Sequence, residues 1–162
     1  MLNKEKNLAD INRSLAALLG PETDWLANLA NSSALLFNFM EDLNWAGFYL
    51  KKEEQLVLGP FQGQTACVRI DKNKGVCGTS YAQRKIMLVE DVNQFPGHIA
   101  CDPNSRSEIV LPLIVKGQVI GVLDIDSPQP ARFDDLDQKY LKEFVEILIE
   151  QTDFSALIEN FS

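Results

Sequence analysis

The stretch Glu108-Ile109-Val110-Leu111-Pro112-Leu113-Ile114-Val115-Lys116-Gly117-Gln118-Val119-Ile120-Gly121-Val122-Leu123-Asp124-Ile125-Asp126 decides the architecture. Two runs of β-branched and aliphatic residues flank a two-residue Lys116-Gly117 turn, the signature of an antiparallel hairpin. Side chains two apart on a strand share a face, so Asp124 and Asp126 point to one side. The short turn lays the second strand along the first and brings Glu108, Asp124 and Asp126 to the same end of the sheet. Acids at a strand end are ordinarily just solvated. The functional alternative is a pocket in which they raise one another's pKa, so that one donates a proton while others hold a cation.

Outward from this hairpin the chain alternates short elements. Leu8, Ile11, Leu15, Leu18 and Leu19 recur at helical spacing, and Gly20-Pro21 ends that helix. Thr23 or Asp24 caps a second helix running to about Asp42, with Trp25, Leu26, Leu29, Leu36, Phe37 and Met40 as its apolar stripe. Asn44 to Leu50 and Gln55 to Pro60 read as a hairpin about the polar Lys51-Lys52-Glu53-Glu54 turn. Gln62 to Lys74 reads as irregular, Gly75 to Gln83 as a short helix and Ile86 to Val89 as a strand. Glu90 to Ser105, with Pro96, Gly97 and Pro103, reads as a long functional loop. Asp134 or Asp135 begins the last helix, whose stripe is Leu136, Tyr140, Leu141, Phe144 and Leu148. The order ααββαββα implies an α+β fold, a mainly antiparallel sheet with its helices on one face. At 162 residues, the chain is expected to form a single domain over 1–162.

The composition, 46% hydrophobic and 23% charged, is that of a globular chain. A net charge of −8 disfavours nucleic acid and anionic membrane as partners, since both are met by clustered Lys and Arg. The sequence has no apolar run of the ~20 residues that span a bilayer. Its N-terminus lacks the apolar core of a secretion signal, so a cytoplasmic protein is expected.

Three cysteines are too few for a disulfide scaffold and point instead to redox chemistry or metal binding. Each of them alone reads as a small buried hydrophobe. Cys77, in Gly75-Val76-Cys77-Gly78 at a helix start, is placed where the helix dipole would favour a thiolate. Cys101 is the preferred nucleophile, from its place in the long loop beside His98, the only histidine. His98 either lowers the Cys101 pKa as a cation or holds the loop by hydrogen bonds. Cys67, Cys77, His98 and Cys101 also form a ligand set that zinc accepts, but their spacing lacks the close pairs of zinc sites, and no metal is expected. Trp45 and Tyr49 are candidate aromatic contacts for an ammonium or a thioether-like group, with the core as their alternative. The glycines around Cys77 lack phosphate-loop spacing, and Asp134-Asp135-Leu136-Asp137 reads as a helix N-terminus.

Taken together, Asn44-Trp45-Ala46-Gly47-Phe48-Tyr49, Gly59-Pro60-Phe61-Gln62-Gly63, Ala66-Cys67, Gly75-Val76-Cys77-Gly78, Pro96-Gly97-His98-Ile99-Ala100-Cys101-Asp102, Ser107-Glu108-Ile109-Val110 and Gly121-Val122-Leu123-Asp124-Ile125-Asp126-Ser127 resemble the free methionine-(R)-sulfoxide reductases, small GAF-domain enzymes. The resemblance runs from about Trp25 to Phe144. It implies thiol-dependent reduction of free L-methionine-(R)-sulfoxide, with Cys101 as the nucleophile that becomes a sulfenic acid. Cys67 and Cys77 match positions that take part in converting it to a disulfide, in an order left open. The resemblance further implies that Glu108 and Asp126 serve the proton transfer and, with Asp124, grip the ammonium, while Trp45 and Tyr49 wall the methyl end. Backbone N–H groups of the long loop are candidates for the substrate carboxylate.

No metal or organic cofactor is implied; thioredoxin or a similar dithiol regenerates the thiols. A homodimer through an exposed first helix is a further expectation. The rival from another class is a GAF small-molecule or redox sensor with incidental thiols, a reading that expects an adjoining output domain.

Overall fold

The computed structural model describes residues 2–98 and 101–159. Its elements are α1 (Leu2–Leu19), α2 (Trp25–Phe39), β1 (Trp45–Lys52), β2 (Gln55–Gly63), β3 (Arg69–Asp71), α3 (Gly75–Gln83), β4 (Met87–Val89), β5 (Ser107–Val115), β6 (Gln118–Ser127), α4 (Asp135–Gln151) and α5 (Ser155–Glu159). The six strands form one sheet in the order β3-β2-β1-β6-β5-β4. Every neighbouring pair is antiparallel, as expected for this α+β fold.

Period-two alternation separates two cores. Ala46, Phe48, Ile109, Leu111, Leu113, Leu123 and Ile125 face α1, α2 and α4, meeting Leu15, Leu29, Leu36, Leu141, Phe144 and Leu148. Full burial of one such Leu or Phe contributes about 1.5–3 kcal/mol, so this layer is the main store of stability. Trp45, Tyr49, Val110 and Val122 point the other way, against Val76, Cys77 and Tyr81 of α3. One face is therefore shared by α1, α2, α4 and, through Leu157, α5. The short α3 packs on the opposite face, seated by Gly78, where an added Cβ would lie 2.4 Å from the Asp71 carbonyl oxygen.

Lys116 and Gly117 both take positive φ, 50° and 78°, as a tight hairpin turn requires. Of the two candidate caps, Asp24 opens α2 by accepting from the Ala27 N–H at 2.8 Å. Asp134 and Asp137 form a reciprocal capping box at the start of α4.

Several boundaries differ from the sequence reading. Helix α1 begins at Leu2 rather than Leu8, and Lys4 pairs with Asp134 and the fully buried Asp137 at 2.9 and 2.7 Å. Its first turn is held by tertiary ion pairs, which leave no apolar period to read. The segment expected to be irregular contains β3, whose pattern of one buried residue, Ile70, between two exposed ones is too short to register. Strand β2 continues to Gly63 through an irregularity opposite Gly47–Tyr49 that accommodates Gly59 and Pro60. No helix among the described residues is long and apolar enough to cross a membrane.

Candidate active site

Sheet register assembles the acids. Glu108 of β5 lies opposite Asp126 of β6, and Asp126 is opposite Trp45 of β1 on its other side. Asp124 lies between Val110 and Gly47, and the glycine lets β2 close in there, since an added Cβ would lie 2.3 Å from the Phe61 Cβ. Trp45, Tyr49, Glu108, Asp124 and Asp126 line one cavity with Cys77, His98, Cys101 and Asp102. It encloses about 540 Å³ of empty space, its solvent-open mouth included.

The aromatic pair builds one wall and also holds it. Trp45 stacks on Tyr49 at 5.8 Å and on Phe61 at 5.2 Å. The Trp45 indole N–H donates to the Gln64 carbonyl at 3.2 Å, and the Tyr49 hydroxyl donates to the Cys67 carbonyl at 2.9 Å. Burial, followed by the charges of Asp124, Cys77, Asp126 and Glu108, pushes the Tyr49 phenol up, so it stays a donor. These two bonds fix the segment carrying Cys67 over the acids.

Cys67 is joined to Cys101 by a disulfide, with Cα atoms 5.4 Å apart. Cys101 comes from the long loop. Ile99 and Ala100, part of its family-like stretch, lie outside the described residues. Beyond Cys101, Asp102 accepts from the Asn104 N–H, and Asn44 donates to both Asp102 Oδ2 at 2.9 Å and Ser105 Oγ at 3.0 Å. Asn44 sits just before β1, where its own N–H donates to the Asp126 carbonyl. It thus ties the Cys101 loop to the acid-bearing sheet. The sequence reading assigned no role to Asn44 or Ser105, because their partnership crosses 61 residues and carries no periodicity.

The acids are nearly dry. Glu108 and Asp124 are each only 6% exposed, while Asp126 is partly exposed. Burial raises all three pKa values. In Glu108 and Asp126 the neighbouring carboxylates add to burial and push the groups well above the ordinary carboxylate range. In Asp124, hydrogen bonds from Glu108 and Cys77 oppose burial and favour its charged form. Burial and neighbouring charge thus push Glu108 and Asp126 furthest toward the protonated form, and Asp124 less far. One oxygen of Asp124, Oδ1, is buried with no hydrogen-bond partner. That arrangement offers proton donors and one unmatched acceptor for a cation.

One expectation is corrected, and one of two open alternatives is disfavoured. Cys77 lies in the first turn of α3, but it is buried with its Sγ 3.8 Å from Glu108 Oε1. Burial and then the charges of Asp124, Glu108 and Asp126 push its thiol well above the ordinary value, outweighing any helix-dipole effect. His98 lines the cavity with its pKa lowered by burial, which favours a neutral imidazole over a cationic neighbour for Cys101. The His98 backbone N–H donates to the Phe95 carbonyl at 3.2 Å. The alternative zinc set is broken here, since two of its sulfurs are bonded to each other.

Protonation also has a stability consequence. A carboxyl with a raised folded pKa binds its proton where the unfolded chain, with values near about 4, has lost it. Its contribution is full below that pH and is lost as pH rises through the folded value. Ligand-free protein should therefore lose stability from about pH 4 upward. Glu108→Gln should flatten that slope and raise the melting temperature at pH 7 by a few degrees, on the order of 1 kcal/mol. Thermal melts across pH check this; an unchanged slope would mean that Glu108 is ionised in the folded chain.

Known proteins share this fold. A family model described as GAF domain matches residues 33–148. "Protein YtsP" of Bacillus subtilis is 58% identical over 148 residues, 90% of this chain and 91% of that protein. The free methionine-R-sulfoxide reductase of Escherichia coli is 54% identical over 156 residues, 94% of each. A crystal structure of free methionine-R-sulfoxide reductase from Neisseria meningitidis in complex with its substrate superposes with a TM-score of 0.89 at 43% identity. That likeness covers 96% of this chain and 93% of the other.

Proposed function

The chain belongs to the GAF-domain family, among its free methionine-R-sulfoxide reductases, and from that premise we propose that it reduces free L-methionine-(R)-sulfoxide through Cys101 and Cys67. The observation that carries the proposal is the Cys67–Cys101 disulfide in the wall of a cavity that also exposes Glu108, Asp124 and Asp126. It has the form expected of an enzyme at the end of its oxidative half-reaction.

In the reduced enzyme the Cys101 thiolate attacks the sulfoxide sulfur, and a protonated Glu108 or Asp126 delivers a proton to the departing oxygen. Methionine leaves and Cys101 becomes a sulfenic acid. The Cys67 thiol then displaces water from that sulfenic acid, forming the disulfide and completing a two-electron reduction of the substrate. A thioredoxin-like dithiol exchanges with the disulfide and restores both thiols. The electrons come from thiols throughout, so the balance calls for no metal or organic cofactor. A reducing compartment such as the cytoplasm suits this recycling.

A free amino acid brings an ammonium and a carboxylate, and each must be paired when buried. The unmatched Asp124 Oδ1 supports a place for the ammonium, and the Trp45 and Tyr49 rings suit the methyl end. Sulfoxide within a polypeptide lacks the free ammonium and so forfeits that pairing.

The test is turnover of racemic free methionine sulfoxide with dithiothreitol, followed by chromatography that resolves the epimers. Loss of the R epimer alone, with methionine released and peptide-bound sulfoxide untouched, is the expected result. Loss of the S epimer, or binding without turnover as in a GAF sensor, would overturn the proposal.

A further inference from the structure

Cys77 has no part in the proposed chemistry, because Cys67 supplies the thiol that pairs with Cys101. Its position is nevertheless specific. Cys77 offers a sulfur, and Glu108 and Asp124 each offer a carboxylate oxygen, with all three atoms within 4.8 Å of one another and all three residues buried. Independently, Asp124 is 94% buried, yet its Oδ1 has no hydrogen-bond partner. The group lines the cavity, so a small ion has a route to it.

We propose that Cys77, Glu108 and Asp124 form a binding site for one thiophilic divalent cation of the zinc and cadmium class. Such an ion accepts mixed sulfur and oxygen ligands, at about 2.3 Å from thiolate and about 2.0–2.2 Å from carboxylate oxygen. Cys77 Sγ and Glu108 Oε1 are already 3.8 Å apart, about the spacing of two ligands on one tetrahedral ion, and an Asp124 oxygen has to draw in from within 4.8 Å. Two carboxylates alone would suit magnesium or calcium equally; the sulfur selects a softer ion. The cavity side leaves a fourth position for water, as in zinc sites with three protein ligands. Binding displaces the Cys77 and Glu108 protons into solvent and gives the orphaned Asp124 oxygen a partner.

The cation would occupy the place that the reductase reading gives to the substrate ammonium, so ion and substrate exclude one another. That consequence rests on the reductase reading, whereas the binding itself does not. The site would make the protein sensitive to thiophilic metals even when Cys67 and Cys101 are oxidised.

The oxidised form supplies a clean experiment, because Cys77 is then the only thiol in a chain of three cysteines. Cadmium chloride is titrated into oxidised protein while the ultraviolet thiolate-to-cadmium charge-transfer band is followed. The expected result is saturation at a single equivalent, with the band absent in Cys77→Ser and affinity at least tenfold weaker in both Cys77→Ser and Glu108→Gln. Absence of the band in the unaltered protein would overturn the proposal whatever the variants do. So would equal affinity in a folded Cys77→Ser, which would place the ion on surface carboxylates. Both readouts are independent of sulfoxide turnover and separate this proposal from failure of the reductase reading.

Discussion

Cys101→Ser is expected to lower turnover of free methionine-(R)-sulfoxide by at least about 10⁴-fold, the scale on which removing a covalent nucleophile acts. A serine hydroxyl has no thiolate to offer and cannot become a sulfenic acid. Binding should survive, because the acids and the aromatic wall belong to the sheet rather than to the loop. Cys67→Ser should behave differently. It should still release methionine in a first turnover but stall before recycling, since the sulfenic acid has lost its neighbouring thiol. Rapid-quench measurement of methionine separates the two variants; a first turnover by Cys101→Ser would assign the nucleophile to another thiol.

Asp126→Asn is expected to reduce kcat by about 10²–10⁴-fold, the range that a positioned proton donor supplies. Burial, then the charges of Asp124 and Asp102, push the Asp126 carboxyl well above the ordinary range, and Asp102, which follows Cys101, is clamped by Asn44. The unaltered enzyme should lose activity as pH rises through the raised value of its donor. If Asp126 is that donor, the alkaline limb disappears from the residual activity of the asparagine variant. A small change in kcat, with the same loss seen instead in Glu108→Gln, would give the proton to Glu108.

The acid cluster was legible only in part. Alternation put Asp124 and Asp126 on one face, and the short turn brought Glu108 to their end of the sheet. An unbroken two-residue hairpin would pair Glu108 with Ile125 on the other face; the register shift between Leu113 and Ile114, which no period announces, sets Glu108 opposite Asp126. The disulfide partner was not legible. Cys67 and Cys101 are 34 residues apart, and their meeting depends on the Tyr49 hydroxyl and the Asn44 amide, which hold two irregular segments. Cys77 shows a different limit. Its position near a helix start was read well, but a helix start favours a thiolate only where charge is solvated or matched, and packing α3 over buried acids reverses the sign. The placement of α3 opposite the long helices followed from Val76, Cys77 and Tyr81, a stripe too short to show which face of the sheet it would choose.

The central claim is that this cavity turns a free sulfoxide into a Cys67–Cys101 disulfide, and a single-turnover experiment tests it most directly. Fully reduced protein is mixed with racemic free methionine sulfoxide, no external reductant is present, and the quenched chain is peptide-mapped. The account predicts a single equivalent of methionine per chain, drawn from the R epimer, with the new disulfide joining Cys67 to Cys101 and Cys77 still reduced. Consumption of the S epimer, or a first-formed disulfide that contains Cys77 in place of Cys67, would contradict it.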